Sequence, residues 1–272
     1  LEKEAKRMGL LKIDHECRIT DFIEKPRDKK VLEKFKLTQN FYKKWGIEPI
    51  KKPSYLGSMG IYVFKREALI SLLGQDQRED FGYHLISTAV ETRKSAAFIY
   101  CGYWEDIGTV ASYYEANLAL TRSLEGLDTY DEKKPIYTRP TFLPGPKIKQ
   151  TQITQSIICE GCIIEAKEIT NSVIGLRSHI KKGTIIRDTV MMGNHFYMPP
   201  LHEETAAQPH YWIGENCLIE KAIIDEHVQI GRNVKLINKK KQTHYDGQNG
   251  LYVRDGIIII TSGTKIPDHY HF

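Results

Sequence analysis

No apolar run in this sequence approaches the roughly 20 residues that a membrane-crossing helix needs. No leader with a charged start, an apolar middle and a small-residue cleavage site is visible either. Cysteine is scarce: five among 272 residues, scattered at positions 17, 101, 159, 162 and 217. That excludes a disulfide scaffold and fits a reducing compartment. Cys159 and Cys162 have CxxC spacing, but neither a second pair nor a histidine cluster accompanies them, so no zinc site is expected. An opening methionine is lacking too. The chain starts directly in helix-like sequence at Leu1-Glu2-Lys3, and an earlier part of the protein is expected to be missing. A strong charge excess is absent as well. The net charge is +5 with a pI near 8.8, which suits phosphorylated or nucleotide substrates without calling for nucleic acid.

What is present is ordinary for a globular protein: 41% hydrophobic and 27% charged residues, long enough for one or two domains. Two lysine clusters, Lys43-Lys44 with Lys51-Lys52 and Lys239 to Lys241, read as solvated loops or as anion-binding patches. Prolines at 135, 140, 144 and 146 mark a crossing between two differently patterned halves. The expected division is residues 1–122, a linker at 123–150, and residues 151–272. The first part mixes helices and strands. Residues 1–8 are helical in character, with Gly9 placed as a possible helix C′ residue. Residues 10–14 and 19–23 form a hairpin. Residues 27–52 are a lysine-rich, partly helical insertion. Residues 55–64 read as a buried strand, followed by helices at 65–73 and 83–91, the second with Asp80 as N-cap. A short strand at 96–100 leads to the turn Gly102-Tyr-Trp-Glu-Asp-Ile-Gly-Thr109 and a helix over 110–121.

Three short stretches carry chemistry. Asp106, in a glycine-flanked turn after a strand, is placed either to hold a hard cation such as Mg²⁺ or, with Thr109, to cap the next helix. In Glu24-Lys25-Pro26 the proline favours an extended Lys25. Lys25 could neutralise a phosphate and Glu24 accept from sugar hydroxyls, or the two could form a surface ion pair. Ser58, between Gly57 and Gly60, is either a packed small residue or a hydroxyl facing a polar ligand.

The second part carries a ladder. Ile158 and Ile164, then Ile174, Ile180, Ile186 and Met192, then Ile213 and Ile219, then Ile224, Ile230 and Leu236 recur at six-residue steps. Such a period is the signature of a parallel β-helix, in which each short strand puts one aliphatic side chain inward. Residues 193–211 interrupt the ladder as an expected excursion loop. Residues 251–253 and 257–260 are strand again and could cap the helix or pair with another chain.

Phe22-Ile-Glu-Lys-Pro26, Ser58-Met-Gly-Ile-Tyr-Val-Phe64, Asp80-Phe-Gly82, Gly102 to Thr109, Pro135-Ile-Tyr137 and Val173-Ile-Gly-Leu-Arg-Ser178, in this order and followed by a β-helix, resemble glucose-1-phosphate adenylyltransferase. The resemblance covers nearly the whole chain apart from 27–52 and 193–211. It implies a Rossmann-like α/β nucleotidyltransferase domain, present in part, followed by a left-handed parallel β-helix of hexapeptide repeats. It implies the joining of ATP and glucose 1-phosphate into ADP-glucose and pyrophosphate, with Mg²⁺, ahead of glycogen or starch synthesis. It also implies a homotetramer, an anionic sugar-phosphate or phosphate effector, and a cytoplasmic or, in a plant, plastid location. By the same resemblance Gly9 would place its backbone at the sugar, Glu24 would hold glucose hydroxyls, and Lys25 the sugar phosphate. Ser58 would contact the glucose ring, Trp104 would shape the pocket, and Asp106 would ligate Mg²⁺.

The departures are specific. The family's glycine-rich nucleotide loop and its partner metal carboxylate are absent from residues 1–272, which therefore resemble the C-terminal portion of the enzyme. Where plant-type members carry two activator-binding lysines, this sequence has Glu226 and Ser262, so activation by 3-phosphoglycerate is not expected. Three alternatives stand beside the catalytic reading. One is a regulatory subunit of the same oligomer. Another is a sister transferase using GTP, UTP or CTP. The third is a hexapeptide acyltransferase with His179 or His227 as its catalytic histidine.

Overall fold

The computed structural model describes residues 2–49, 51–75, 80–92, 94–122, 127–197 and 211–272. The chain divides into two compact units, Leu1–Trp104 and Glu105–Phe272.

The first unit is built on a three-stranded antiparallel sheet. Strand β1 (Leu10–Ile13) lies between β2 (Ile19–Ile23) and β3 (Leu56–Gly57). The β1–β2 pair is the expected hairpin, with Asp14 Oδ1 accepting from the backbone N–H groups of Glu16 and Arg18 at its turn. The lysine-rich insertion is helical. Helix α2 (Lys29–Phe35) follows α1 (Glu2–Ala5) in chain order and is capped by Asp28; α3 (Gln39–Trp45) is capped by Thr38 and stopped by Gly46 at φ 60°. Ala5, Leu10, Leu32 and Phe35 bury the apolar side of α2 against β1. A second cluster, Leu72, Leu85, Ile86 and Ala89, joins α4 (Arg66–Gln75) to a π-helical turn (Phe81–Ile86) and to α5 (Ser87–Thr92). Asp80 caps that turn as expected, accepting from the Tyr83 N–H at 2.7 Å.

Two expected strands differ. Only Leu56 and Gly57 of the 55–64 run join the sheet, and Val63 is 98% exposed rather than buried. In the 96–100 run Ala96 makes a single bridge to Arg18, and Phe98 is 89% exposed. The physical reason is the same for both. Apolar β-formers settle as strands only where a neighbouring ladder takes up their N–H and C=O groups; among the described residues the ladder of the first run ends with Leu56–Gly57 and the Ser58 N–H bond, and the second run has only the Ala96 bridge and the Ala97 N–H bond to the Cys17 carbonyl.

The second unit begins with the turn at Asp106 and helix α6 (Val110–Ala119) and continues as a three-faced parallel β-helix. Three columns of inward side chains run through it. One is Ile158–Ile174–Met191–Ile224–Ile260, another Ile148–Ile164–Ile180–Ile213–Ile230–Ile266, and the third Ile153–Ile169–Ile186–Ile219–Leu236. Most of these side chains are fully buried. Burial of each isoleucine contributes roughly 2 kcal/mol relative to exposure, and the stacked parallel ladders satisfy the backbone between coils.

The expected ladder places Met192 inward; the residue that faces inward is Met191, while Met192 is exposed. Asp188 takes a left-handed conformation (φ 46°) at the preceding corner, so the step from Ile186 to the next inward residue is five. Gln155, Asn171 and Lys221 adopt the same conformation at φ 46°, 45° and 51°. Helix α6 lies against the β-helix through Tyr114 and Leu118, which pack with Val190, Ile223 and Ile257. Tyr113 donates to the outward Met192 sulfur at 2.8 Å. Of the expected excursion, residues 198–210 lie outside the described residues. Its two flanks meet at His227, which packs against His195 and Phe196 from one side and Tyr211 from the other. The end of the chain forms an antiparallel arrangement of His244–Asp246, Leu251–Arg254 and Ile257–Ile260, the last of which continues the parallel ladder from Ile223.

Candidate functional site

In the first unit the chain brings Gly9, Glu24, Lys25 and Ser58 together at one end of the small sheet. Two backbone bonds close the cluster: Ser58 N–H donates to the Gly9 carbonyl at 2.7 Å, and Lys25 N–H to the Met8 carbonyl at 3.2 Å. Glu24 is the less exposed of the pair, its side chain 12% exposed, whereas Lys25 is 50% exposed with its ammonium 3.5 Å from the Glu24 carboxylate.

Glycine makes room for that carboxylate on two sides. A Cβ at Gly9 would stand 2.7 Å from Glu24 Oε2 and 2.7 Å from the Phe22 ring; a Cβ at Gly82 would stand 3.0 Å from the same oxygen. Gly9 is not at a left-handed φ, so it is selected for close approach and not as a helix C′ residue. Gly82 lies in the turn that Asp80 caps, so the Asp80-Phe-Gly82 motif positions the Glu24 carboxylate through its backbone.

Lys25 is not extended, as its place before Pro26 leads one to expect. Its φ is 46°. Proline on its C-terminal side disfavours the right-handed helical region. Here Lys25 takes the left-handed alternative, with its N–H bonded to the Met8 carbonyl. Ser58 is a hydroxyl with polar partners. It lies 3.0 Å from the Tyr62 hydroxyl and accepts from the Gly60 N–H at 3.3 Å. Tyr62, Phe64 and Phe81 pack as a ring cluster beside it, with centroids 5.9 to 6.3 Å apart. Trp104 is half-buried at the end of this unit.

Asp106 belongs to the second unit. Its Oδ1 accepts from the Gly108 N–H at 3.0 Å, which fixes the turn. The cap of α6 is Thr109, in a capping box with Ser112, so helix capping does not use Asp106. No group of three or more His, Cys, Asp or Glu side chains suited to a metal surrounds it among the described residues. One carboxylate completed by substrate phosphates and water is nevertheless a set that Mg²⁺ accepts.

Two contributors escape local sequence patterns. Tyr62 supplies the partner of the Ser58 hydroxyl, and Gly82 supplies space for Glu24 from 58 positions along the chain. Their signal lies in the quoted motifs, Ser58 to Phe64 and Asp80 to Gly82, but only the fold connects them to the site.

His179, one of the histidines considered for acyl transfer, is half-buried on an outer face of the β-helix, 3.8 Å from Glu165, and burial depresses its pKa. His227 accepts from the His195 N–H at 3.3 Å within the ring cluster at the excursion's base. Both therefore have structural partners.

Residues 2–123 match the family model described as Nucleotidyl transferase. Residues 141–270 match the model described as GLGC left-handed parallel beta-helix domain. The chain is thus a nucleotidyl transferase domain sequence followed by a left-handed β-helix, the domain architecture of the glucose-1-phosphate adenylyltransferase family.

Proposed function

We propose that this protein makes ADP-glucose and pyrophosphate from ATP and glucose 1-phosphate, for glycogen or starch synthesis. The observation that carries the reading is the largely covered Glu24 carboxylate held between Gly9 and Gly82, with the exposed Lys25 ammonium beside it. An ionised carboxylate is an acceptor only, and its free lone pairs can take hydrogen bonds from sugar hydroxyls. A compact ammonium next to it takes the phosphate of the same sugar. Ser58, already bonded to Tyr62, offers a further polar contact for the ring.

A phosphate oxygen of glucose 1-phosphate attacks the α-phosphorus of ATP, a new P–O bond forms, and the bond to the leaving pyrophosphate breaks. Little covalent chemistry is asked of the protein; it must hold the two phosphates in line and offset the charge between them. Lys25 supplies a positive charge at the sugar phosphate, and Asp106 would hold Mg²⁺. When bound, that ion supplies further charge neutralisation on the phosphates.

The test is pyrophosphate release by the native full-length protein with Mg²⁺ and glucose 1-phosphate, comparing ATP with GTP, UTP and CTP. Turnover with ATP at least tenfold above the others is expected. Preference for another nucleotide would move the protein to a sister transferase. No release with any of them would favour a non-catalytic subunit.

A further inference from the structure

We propose that Met192 is a site of reversible oxidation by hydrogen peroxide, with Tyr113 as its proton donor and α6 as the element that responds. Two adjacent methionines take opposite sides of one strand, Ile185–Gly193. Met191 is 7% exposed and stacks in an inward column between Ile174 and Ile224. Met192 is 42% exposed and points outward. Met8 and Met59 are partly covered, so among the described residues Met192 is the methionine that solvent reaches most readily.

Exposure alone would leave Met192 an ordinary surface residue; its partner sets it apart. The Tyr113 hydroxyl donates to the Met192 sulfur at 2.8 Å. In the oxidation, the sulfur attacks one peroxide oxygen. An S–O bond forms, the O–O bond breaks, and two electrons pass from sulfur to the leaving hydroxide. Tyr113 gives that hydroxide a proton, making water, and takes back the proton left on the new S–O–H group. The products are methionine sulfoxide and water, and the tyrosine is unchanged. A donor held at the reacting atom assists such a step as a general acid.

The product is a different side chain in the same place. A flexible apolar group becomes a polar one, and the change can be reversed by methionine sulfoxide reductase. The new oxygen needs room where the phenol now meets the sulfur, so Tyr113 must shift. Tyr113 packs from α6 against the Val190, Ile223 and Ile257 cluster, beside Tyr114, whose hydroxyl is held at the Asp188 carbonyl. It is one residue past Ser112 of the capping box that starts the helix. The first turn of α6 therefore loosens, while the columns, which Met192 does not enter, stay intact.

The site shares no residue with the Glu24–Lys25 cluster and uses no nucleotide, so it stands apart from the proposed activity. Timed exposure of the native protein to hydrogen peroxide, followed by peptide mass mapping, tests it. Met192 should gain one oxygen roughly tenfold faster than the buried Met191, and faster than Met8 and Met59. Tyr113→Phe should slow Met192 severalfold and leave Met8 and Met59 at their wild-type rates, which also checks that the variant is folded. Amide hydrogen exchange in α6 should quicken in the oxidised wild type and fall back after treatment with methionine sulfoxide reductase. It should not change in peroxide-treated Met192→Leu. The proposal is overturned if Met192 reacts no faster than Met191, or if it reacts in Tyr113→Phe as fast as in wild type. Exchange in α6 that is the same before and after oxidation would overturn it equally.

Discussion

The Glu24 carboxylate occupies the space where a side chain at Gly9 would begin: a Cβ there would stand 2.7 Å from its Oε2. Gly9→Ala therefore cannot be accommodated without moving Glu24, Phe22 or both. Overpacking of this kind costs about 1–3 kcal/mol. The expected outcome is a tenfold or greater rise in the KM for glucose 1-phosphate with a smaller change for ATP, and a lower Tm. Steady-state kinetics and thermal unfolding of the variant check this.

Ile219 stands in an inward column between Ile186 and Leu236 and is fully buried. Ile219→Ala should cost about 2–5 kcal/mol, the usual range for such a cavity. Its neighbours are held by coils above and below, which limits collapse into the void. Denaturant unfolding of the variant reads the loss. Substituting the exposed Met192 with Ala should cost far less, because Met192 lies outside the columns.

Cys162 and Cys217 point into the β-helix core, and burial pushes the Cys162 thiol up to about 11 and raises that of Cys217. Neither should react with a thiol reagent at pH 8 in the native protein. Counting reactive thiols before and after denaturation should show both appear only on unfolding. Native labelling of either would contradict the placement of the columns.

Tyr114 is buried on the face of α6 that packs against the β-helix, and its hydroxyl donates to the Asp188 carbonyl. Burial, with the nearby Asp188 and Glu115 charges, raises its pKa well above that of a free tyrosine. The folded state thus favours the protonated form. Its contribution is full below the unfolded pKa near 10 and is lost as pH rises beyond it, because the unfolded chain releases the proton first. Tyr114→Phe should remove about 1 kcal/mol at neutral pH and flatten the decline in stability above pH 10. Unfolding curves from pH 8 to 11 would show it.

Much of this was legible in the residues and some was not, for physical reasons. The isoleucine ladder announced the β-helix because each coil repeats one inward position. Counting by sixes failed at Met192, because the left-handed corner at Asp188 shortens one step and a periodic pattern does not report φ. Glu24 and Lys25 were legible as a polar pair; the turn at Lys25 was not, since the residue before proline is merely disfavoured from one region. The exposed Val63 and Phe98 show the other limit. Their β-branched and aromatic neighbours specify an appetite for a ladder, whereas burial depends on which strands lie beside them. The Gly82 contact with Glu24 is long-range and has no local signature.

Whether Lys25 meets the phosphate of the sugar is read from the pair of apparent KM values in Lys25→Ala of the native protein. A KM for glucose 1-phosphate raised tenfold or more is expected, with that for ATP changed less than about twofold, since loss of one charge-assisted phosphate contact is worth roughly 1.5–3 kcal/mol. An equal loss for both substrates, or no loss for either, would contradict it.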